Sequence, residues 1–220
     1  MAQVISAIQE KGGVGKSTLL CALAARLAKD GAKVVIVDTD PQKTCLKWAE
    51  KDKCGVDAVE QLNDELLTKT VKHLKGSYDV VMIDTAGYKS AMAVYTVMRS
   101  DIIFIPCKAA EPDAKGALRT WQHVQAISES ADIYPQTYVV LSDFDKGTSI
   151  SEGIRDALAT QGLITLKTPL WHRTGFKEMH THGTLPPGSA TAAINEFVAE
   201  LQLAGALEFY REPKKEAVNG

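Results

Sequence analysis

The sequence lacks the features that would place a protein in a membrane or outside the cell. No stretch of its 220 residues approaches the roughly eighteen uninterrupted apolar positions of a transmembrane helix. The opening segment MAQVISAIQEKGG has no basic stretch followed by a long apolar run, which excludes a secretory signal. Charge of one sign is also missing. The formal net charge is −2, so no chain-wide basic field drives binding to nucleic acid or lipid, and such contact requires a local patch. Cys21, Cys45, Cys54 and Cys107 show neither CxxC nor metal-site spacing. They are expected as reduced thiols of a cytoplasmic protein, mostly small packing residues. His172, His180 and His182 lack a fourth ligand and a helical HExxH context, so no zinc site is expected there. Nothing ahead of the first strand would hold a helix-turn-helix, so operator recognition is not expected.

What is present is a globular balance, 45% hydrophobic and 24% charged, in short apolar runs that alternate with longer helical patterns. The runs are Val4–Ile8, Lys33–Val37, Asp79–Ile83, Asp101–Ile105, Tyr138–Leu141 and Leu163–Leu166. They are continuously apolar rather than alternating, the mark of strands buried on both faces of a parallel sheet. Helical segments are expected at 17–29, 62–75, 114–130, 150–161 and 190–209. The first carries Leu19, Leu20, Leu23 and Leu27 on one stripe and is stopped by Gly31. Ser149 and Glu152 suit a capping box for the 150–161 helix, with Gly162 as its stop. The pattern predicts an α/β fold, a doubly wound, mostly parallel sheet with helices on both faces, binding ligands at the carboxyl ends of its strands. Residues 1–210 read as one domain and 211–220 as a polar tail.

Between the first strand and first helix stands Lys11-Gly12-Gly13-Val14-Gly15-Lys16-Ser17-Thr18. Glycines let successive backbone N–H groups approach phosphate oxygens, and the helix start adds its positive dipole end. Lys16 offers a charge to the β- and γ-phosphates and Ser17 a hydroxyl to Mg²⁺. Two acidic segments accompany the loop. Asp38-Thr39-Asp40-Pro41-Gln42 follows the second strand, with two carboxylates at i and i+2 pointing to one side. Val80-Val81-Met82-Ile83-Asp84-Thr85-Ala86-Gly87 reads as a Walker B strand ending in the Mg²⁺-holding Asp84. Leu141-Ser142-Asp143-Phe144-Asp145 carries no lysine where a GTPase would present its base-reading motif, so ATP is favoured over GTP.

The loop departs from the general G-x-x-x-x-G-K-[ST] pattern, with Glu10 at the first position and Lys11 five residues before Lys16. This resembles the deviant Walker A box of the ParA/MinD family of ATPases, within the SIMIBI class, and is closest to the small ParA-type partition ATPases. The acidic segments resemble the family's switch I and Walker B. Ile105-Pro106-Cys107-Lys108 with Pro112-Asp113 resembles its segment after the fourth strand, where Asp113 also suits a helix N-cap. Arg173, Phe176, Lys177 and Gly183 resemble its late Arg-x-x-Phe…Gly stretch.

The resemblance implies a P-loop ATPase, slow alone, that uses ATP and Mg²⁺ and is stimulated by a small adaptor protein. Lys11 would reach the partner's phosphates in an ATP-gated homodimer, Asp40 would orient the attacking water, and Asp38 would support the metal and the switch. It also implies non-specific DNA binding, with Arg119, Lys115, Arg173 and Lys177 as candidate contacts, and hence a segregation role. Two other readings stand beside it: a conjugation or assembly accessory that recruits proteins, and a MinD-like membrane-associated ATPase. The last helix has almost no Lys or Arg, which disfavours membrane association. A metabolic relative on the same fold, such as nitrogenase reductase, would need more cluster cysteines than Cys107 alone.

Overall fold

A strand that is apolar on both sides needs cover on both faces, and five strands of this chain obtain it. The computed structural model describes residues 2–51, 53–87, 91–144, 149–171 and 174–207. The strands are β1 (Gln3–Ala7), β2 (Val34–Asp38), β3 (Val56–Glu60), β4 (Val80–Asp84), β5 (Ile102–Lys108), β6 (Gln136–Phe144) and a two-residue β7 (Leu170–Trp171). They form one sheet in the order β3-β2-β4-β1-β5-β6-β7. Every pairing among them is parallel, which sharpens the expected "mostly parallel".

The helices are α1 (Lys16–Lys29), α2 (Thr44–Ala49), α3 (Asp64–Leu74), α4 (Ala91–Arg99), α5 (Glu111–Ala131), α6 (Ser149–Thr160), α7 (Thr174–His182) and α8 (Ser189–Leu203). Strand side chains alternate between two cores. Ile5, Val34, Ile36, Val80, Met82 and Phe104 pack with α1, α2, α7 and α8. On the other face Val35, Val37, Val81 and Ile83 pack with α3, while Ile103 and Ile105 pack with α5 and α6. The Leu19, Leu20, Leu23 and Leu27 stripe of α1 is wholly buried. Gly31 at φ 91 and Gly162 at φ 83 end α1 and α6 in the left-handed conformation that favours glycine.

Several sequence expectations change. Leu163–Leu166 is not a strand: Thr165 makes one isolated bridge to Val139, while Leu163 and Leu166 are buried in the connection from α6. The last helix stops at Leu203 rather than 209; Leu203 is exposed, while Ala206 and Leu207 tuck back into the core. Asp113 is not a helix N-cap, since α5 begins at Glu111 with Ala110 as its cap. Ser149, expected as the cap, is the first residue of α6; its side chain, His172, Arg173 and the tail 211–220 lie outside what the structure describes. Among those described, no helix is long and apolar enough to cross a membrane.

Candidate nucleotide site

The sheet order puts the carboxyl ends of β1, β4 and β2 side by side, and register aligns the chemistry. Asp84 is level with Ala7 of β1 and with Asp38 of β2. Side chains fasten the strand ends: the Thr39 hydroxyl donates to the Asp84 carbonyl at 2.8 Å, and the Thr85 hydroxyl to the Ala7 carbonyl at 2.9 Å.

The glycine loop leaves β1 here and enters α1 through Gly15 at φ 98, a conformation costly for any residue with a Cβ. Ser142 of β6 braces the loop from beneath, its buried hydroxyl donating to the Val14 carbonyl at 2.7 Å. Gly12, Gly13, Gly15, Lys16, Ser17 and Thr18 form one wall of a cleft of about 650 Å³, with Asp40, Gln42, Thr44 and Ala86 opposite. That size suits a small-molecule ligand.

Lys16 is buried, and its ammonium donates to the Gln9 carbonyl at 3.3 Å. Desolvation lowers its pKa, opposed by the charges of Asp84 and Asp40. Gln9 is itself held: its amide donates to the Pro106 carbonyl and its oxygen accepts from Thr120. Ser17 Oγ donates to Asp84 Oδ2 at 2.6 Å. Burial pushes the Asp84 carboxyl up to about 6, and its Oδ1 is buried without a hydrogen-bond partner. An orphaned buried carboxylate oxygen beside a serine hydroxyl offers the oxygen donors that suit a hard divalent cation. Ser17 and Asp84 thus fit magnesium, which they would hold directly or through water.

Asp38 spends its carboxylate on the switch segment, accepting from the Asp40 amide at 3.0 Å and the Leu46 amide at 2.9 Å. Burial, the largest cause, raises its pKa, and those amide bonds oppose the shift. Asp40 accepts from the Gln42 amide and lines the cleft. Lys11 is exposed and is not among the residues that line the cleft; it donates to Asp113 Oδ2 at 2.9 Å. Arg119 pairs with Glu10 and Lys115 with Glu111, so both candidate DNA-contacting charges are locally compensated. Lys177 is exposed.

Sequence reasoning missed Gln9, Ser142, Cys45 and His180. His180 Nε2 of α7 lies 3.1 Å from Thr18 Oγ1, and burial lowers the His180 pKa. The late glycine has a packing role. A Cβ on Gly183 would lie 2.4 Å from Lys51 Cβ, so only glycine lets the end of α7 meet the end of α2. Trp48 secures the same contact by donating to the Met179 carbonyl at 3.1 Å.

A family model described as VirC1 protein matches residues 2–198. Protein ParA of Rhizobium radiobacter is 26% identical over 184 residues, covering 82% of this chain and 83% of the relative. Protein virC1 of Rhizobium rhizogenes is 28% identical over 185 residues, covering 80% and 79%. The septum site-determining protein MinD of Pyrococcus horikoshii, solved with Mg-ADP, superposes with a TM-score of 0.73 at 16% identity. It covers 95% of this chain and 100% of that one, a likeness of fold. A family match that spans the whole sheet, joined to a deviant phosphate loop set against Asp84, shows that the chain belongs to the VirC1 protein family, within the ParA/MinD group of SIMIBI-class ATPases.

Proposed function

We propose that this protein is a positioning ATPase of the partition type, binding ATP with Mg²⁺ in the cleft and pairing with a second copy when ATP is bound. One observation carries the reading: Lys16, Ser17 and Asp84 converge on the glycine loop while Lys11 stands exposed outside that cluster. The loop amides and Lys16 would take the phosphates, with Lys16 leaving the Gln9 carbonyl to do so. Magnesium, when bound, neutralises charge on the β- and γ-phosphates. Asp40 would orient the attacking water, and the amides held by Asp38 would carry its movement into α2. Lys11 would cross to the phosphates of the partner copy. An added cation of this kind changes phosphoryl-transfer rates by about 10³–10⁵ in related switches, so turnover is slow until dimer and adaptor assemble.

The ATP-bound dimer would bind DNA without sequence preference and move a plasmid or other cargo. The test is DNA binding that falls with salt, present with ATP and lost with ADP. Equal binding in both states, or none in either, removes the DNA-based version. A second reading, an accessory that recruits protein partners for conjugation or assembly, is favoured by the ion pairing of Arg119 and Lys115, which leaves less free positive charge for DNA. Affinity capture with wild type and Lys16→Ala separates them, because a recruiting switch that cannot hold ATP must lose its protein partner.

A further inference from the structure

Magnesium nucleotide chemistry leaves one group at this site unused, and that group is a thiol. Cys45, second residue of α2, is fully buried and its Sγ donates to Asp84 Oδ2 at 3.2 Å. Cys21 Sγ of α1 follows at 3.5 Å from Cys45 Sγ. One ligand atom each from Asp38, Cys45 and Asp84 lie within 4.8 Å of one another, and Asp84 Oδ1, buried beside them, has no hydrogen-bond partner.

We propose that Asp38, Cys45 and Asp84 form a binding site for a borderline-soft divalent cation of the zinc(II) class, and that its occupancy excludes magnesium nucleotide. Tetrahedral zinc bonds sulfur at about 2.3 Å and carboxylate oxygen at about 2.0–2.2 Å, so its sulfur and oxygen ligands stand roughly 3.5 Å apart. The observed 3.2 Å between thiol and carboxylate already has that spacing. Asp38 reaches the ion with the lone pairs its two amide bonds leave over. A water completes four ligands, so Cys45 is the one thiolate on the ion. On coordination Cys45 gives its proton to solvent and remains as thiolate on the metal. Ser17 lines the cleft and touches Asp84, so the cleft is the side from which an ion would enter. Magnesium has little affinity for sulfur, so the thiol selects between cations. Ser17 and Cys45 meet the same Asp84 oxygen, Oδ2, so the two ions compete for it. The ligand set stands whatever the cargo, and the exclusion alone rests on the ATP reading.

Cobalt(II), the spectroscopic stand-in for zinc, tests this in nucleotide-free protein. Wild type must show a thiolate-to-cobalt charge-transfer band in the near ultraviolet, bleached by zinc(II). Cys45→Ser must lose the band and bind zinc at least about ten-fold more weakly, a minimum set by what even an outer-shell partner contributes. Cys107→Ser must keep it. No band in wild type, or a band that survives Cys45→Ser, overturns the site. If Cys45→Ser does not fold, the cadmium-113 resonance of loaded wild type decides: a shift in the sulfur-ligand range supports the site and an all-oxygen shift overturns it. Excess magnesium ATP must then remove the band. A band that persists with ATP bound overturns the exclusion, whereas failure of ATP to bind at all refutes the ATP reading and leaves the metal site standing.

Discussion

Lys11 of the phosphate loop donates to the buried carboxylate of Asp113 at 2.9 Å, tying the loop to the first turn of α5. The lysine side chain is 49% exposed and the aspartate 4%. The residue expected to serve a partner subunit is therefore held on its own chain. Half-exposed ion pairs contribute up to about 1 kcal/mol, so the tie restrains Lys11 without locking it.

Lys11→Ala is expected to bind ATP normally but to remain monomeric. Asp113→Asn, which weakens the hold on the ammonium, should strengthen the ATP-dependent dimer by up to about thirty-fold, the equivalent of about 1 kcal/mol from each of the two copies. Sedimentation velocity with ATP measures both. A stable Lys11→Ala dimer would refute the role assigned to Lys11.

Asp84 gives the nucleotide-free protein a signed pH dependence. Its folded-state pKa of about 6 lies above the ordinary value of 3.8, chiefly through desolvation. Native protein therefore holds more protons than unfolded protein between about pH 4 and 6, and this group's contribution to stability declines as pH rises through that window. The full penalty above pH 6 is about 3 kcal/mol at about 1.36 kcal/mol per unit. Asp84→Asn should be the more stable protein at pH 7.5, by up to that amount, and should lose most of this advantage at pH 4. Urea denaturation at the two pH values checks it, and a difference that does not depend on pH contradicts it.

Ser142→Ala removes the buried donor beneath Val14. An unsatisfied buried acceptor costs about 1–3 kcal/mol. The loop should loosen, and nucleotide affinity should fall several-fold with little change in secondary structure. Fluorescent-nucleotide titration beside circular dichroism would show whether the loss is local.

Phe197 of α8 is fully buried, with its ring centroid 5.5 Å from that of Phe104 in β5. Phe197→Ala should cost about 3–5 kcal/mol, as large core truncations do. Chemical denaturation measures it; a loss below 1 kcal/mol would mean that α8 is not a core element.

Five strands and the phosphate loop were legible because fully buried parallel strands read as unbroken apolar runs and the loop's residue types are fixed by its ligand. β3 (Val-Asp-Ala-Val-Glu) was not, because it lies at the sheet edge and carries charge on exposed positions. Leu163–Leu166 misled for the converse reason: two buried leucines in a connection look like strand residues. α2 is six residues long and α7 nine, too short for periodicity to show. Gln9, Ser142 and Cys45 acquire their places from contacts at sequence separations of 97, 128 and 39, which no local pattern carries.

The level pairing of Asp38 with Asp84 divides the molecule into two regimes of tolerance. One residue added or lost within β2 or β4 would turn a carboxylate to the other face of the sheet, taking Asp38 from the Asp40 and Leu46 amides or Asp84 from Ser17, even with every strand still paired. At the amino ends of the same strands no such alignment has to be kept. The family is therefore expected to vary in length in the connections that lead into its strands and to hold a fixed count at the ends where they leave.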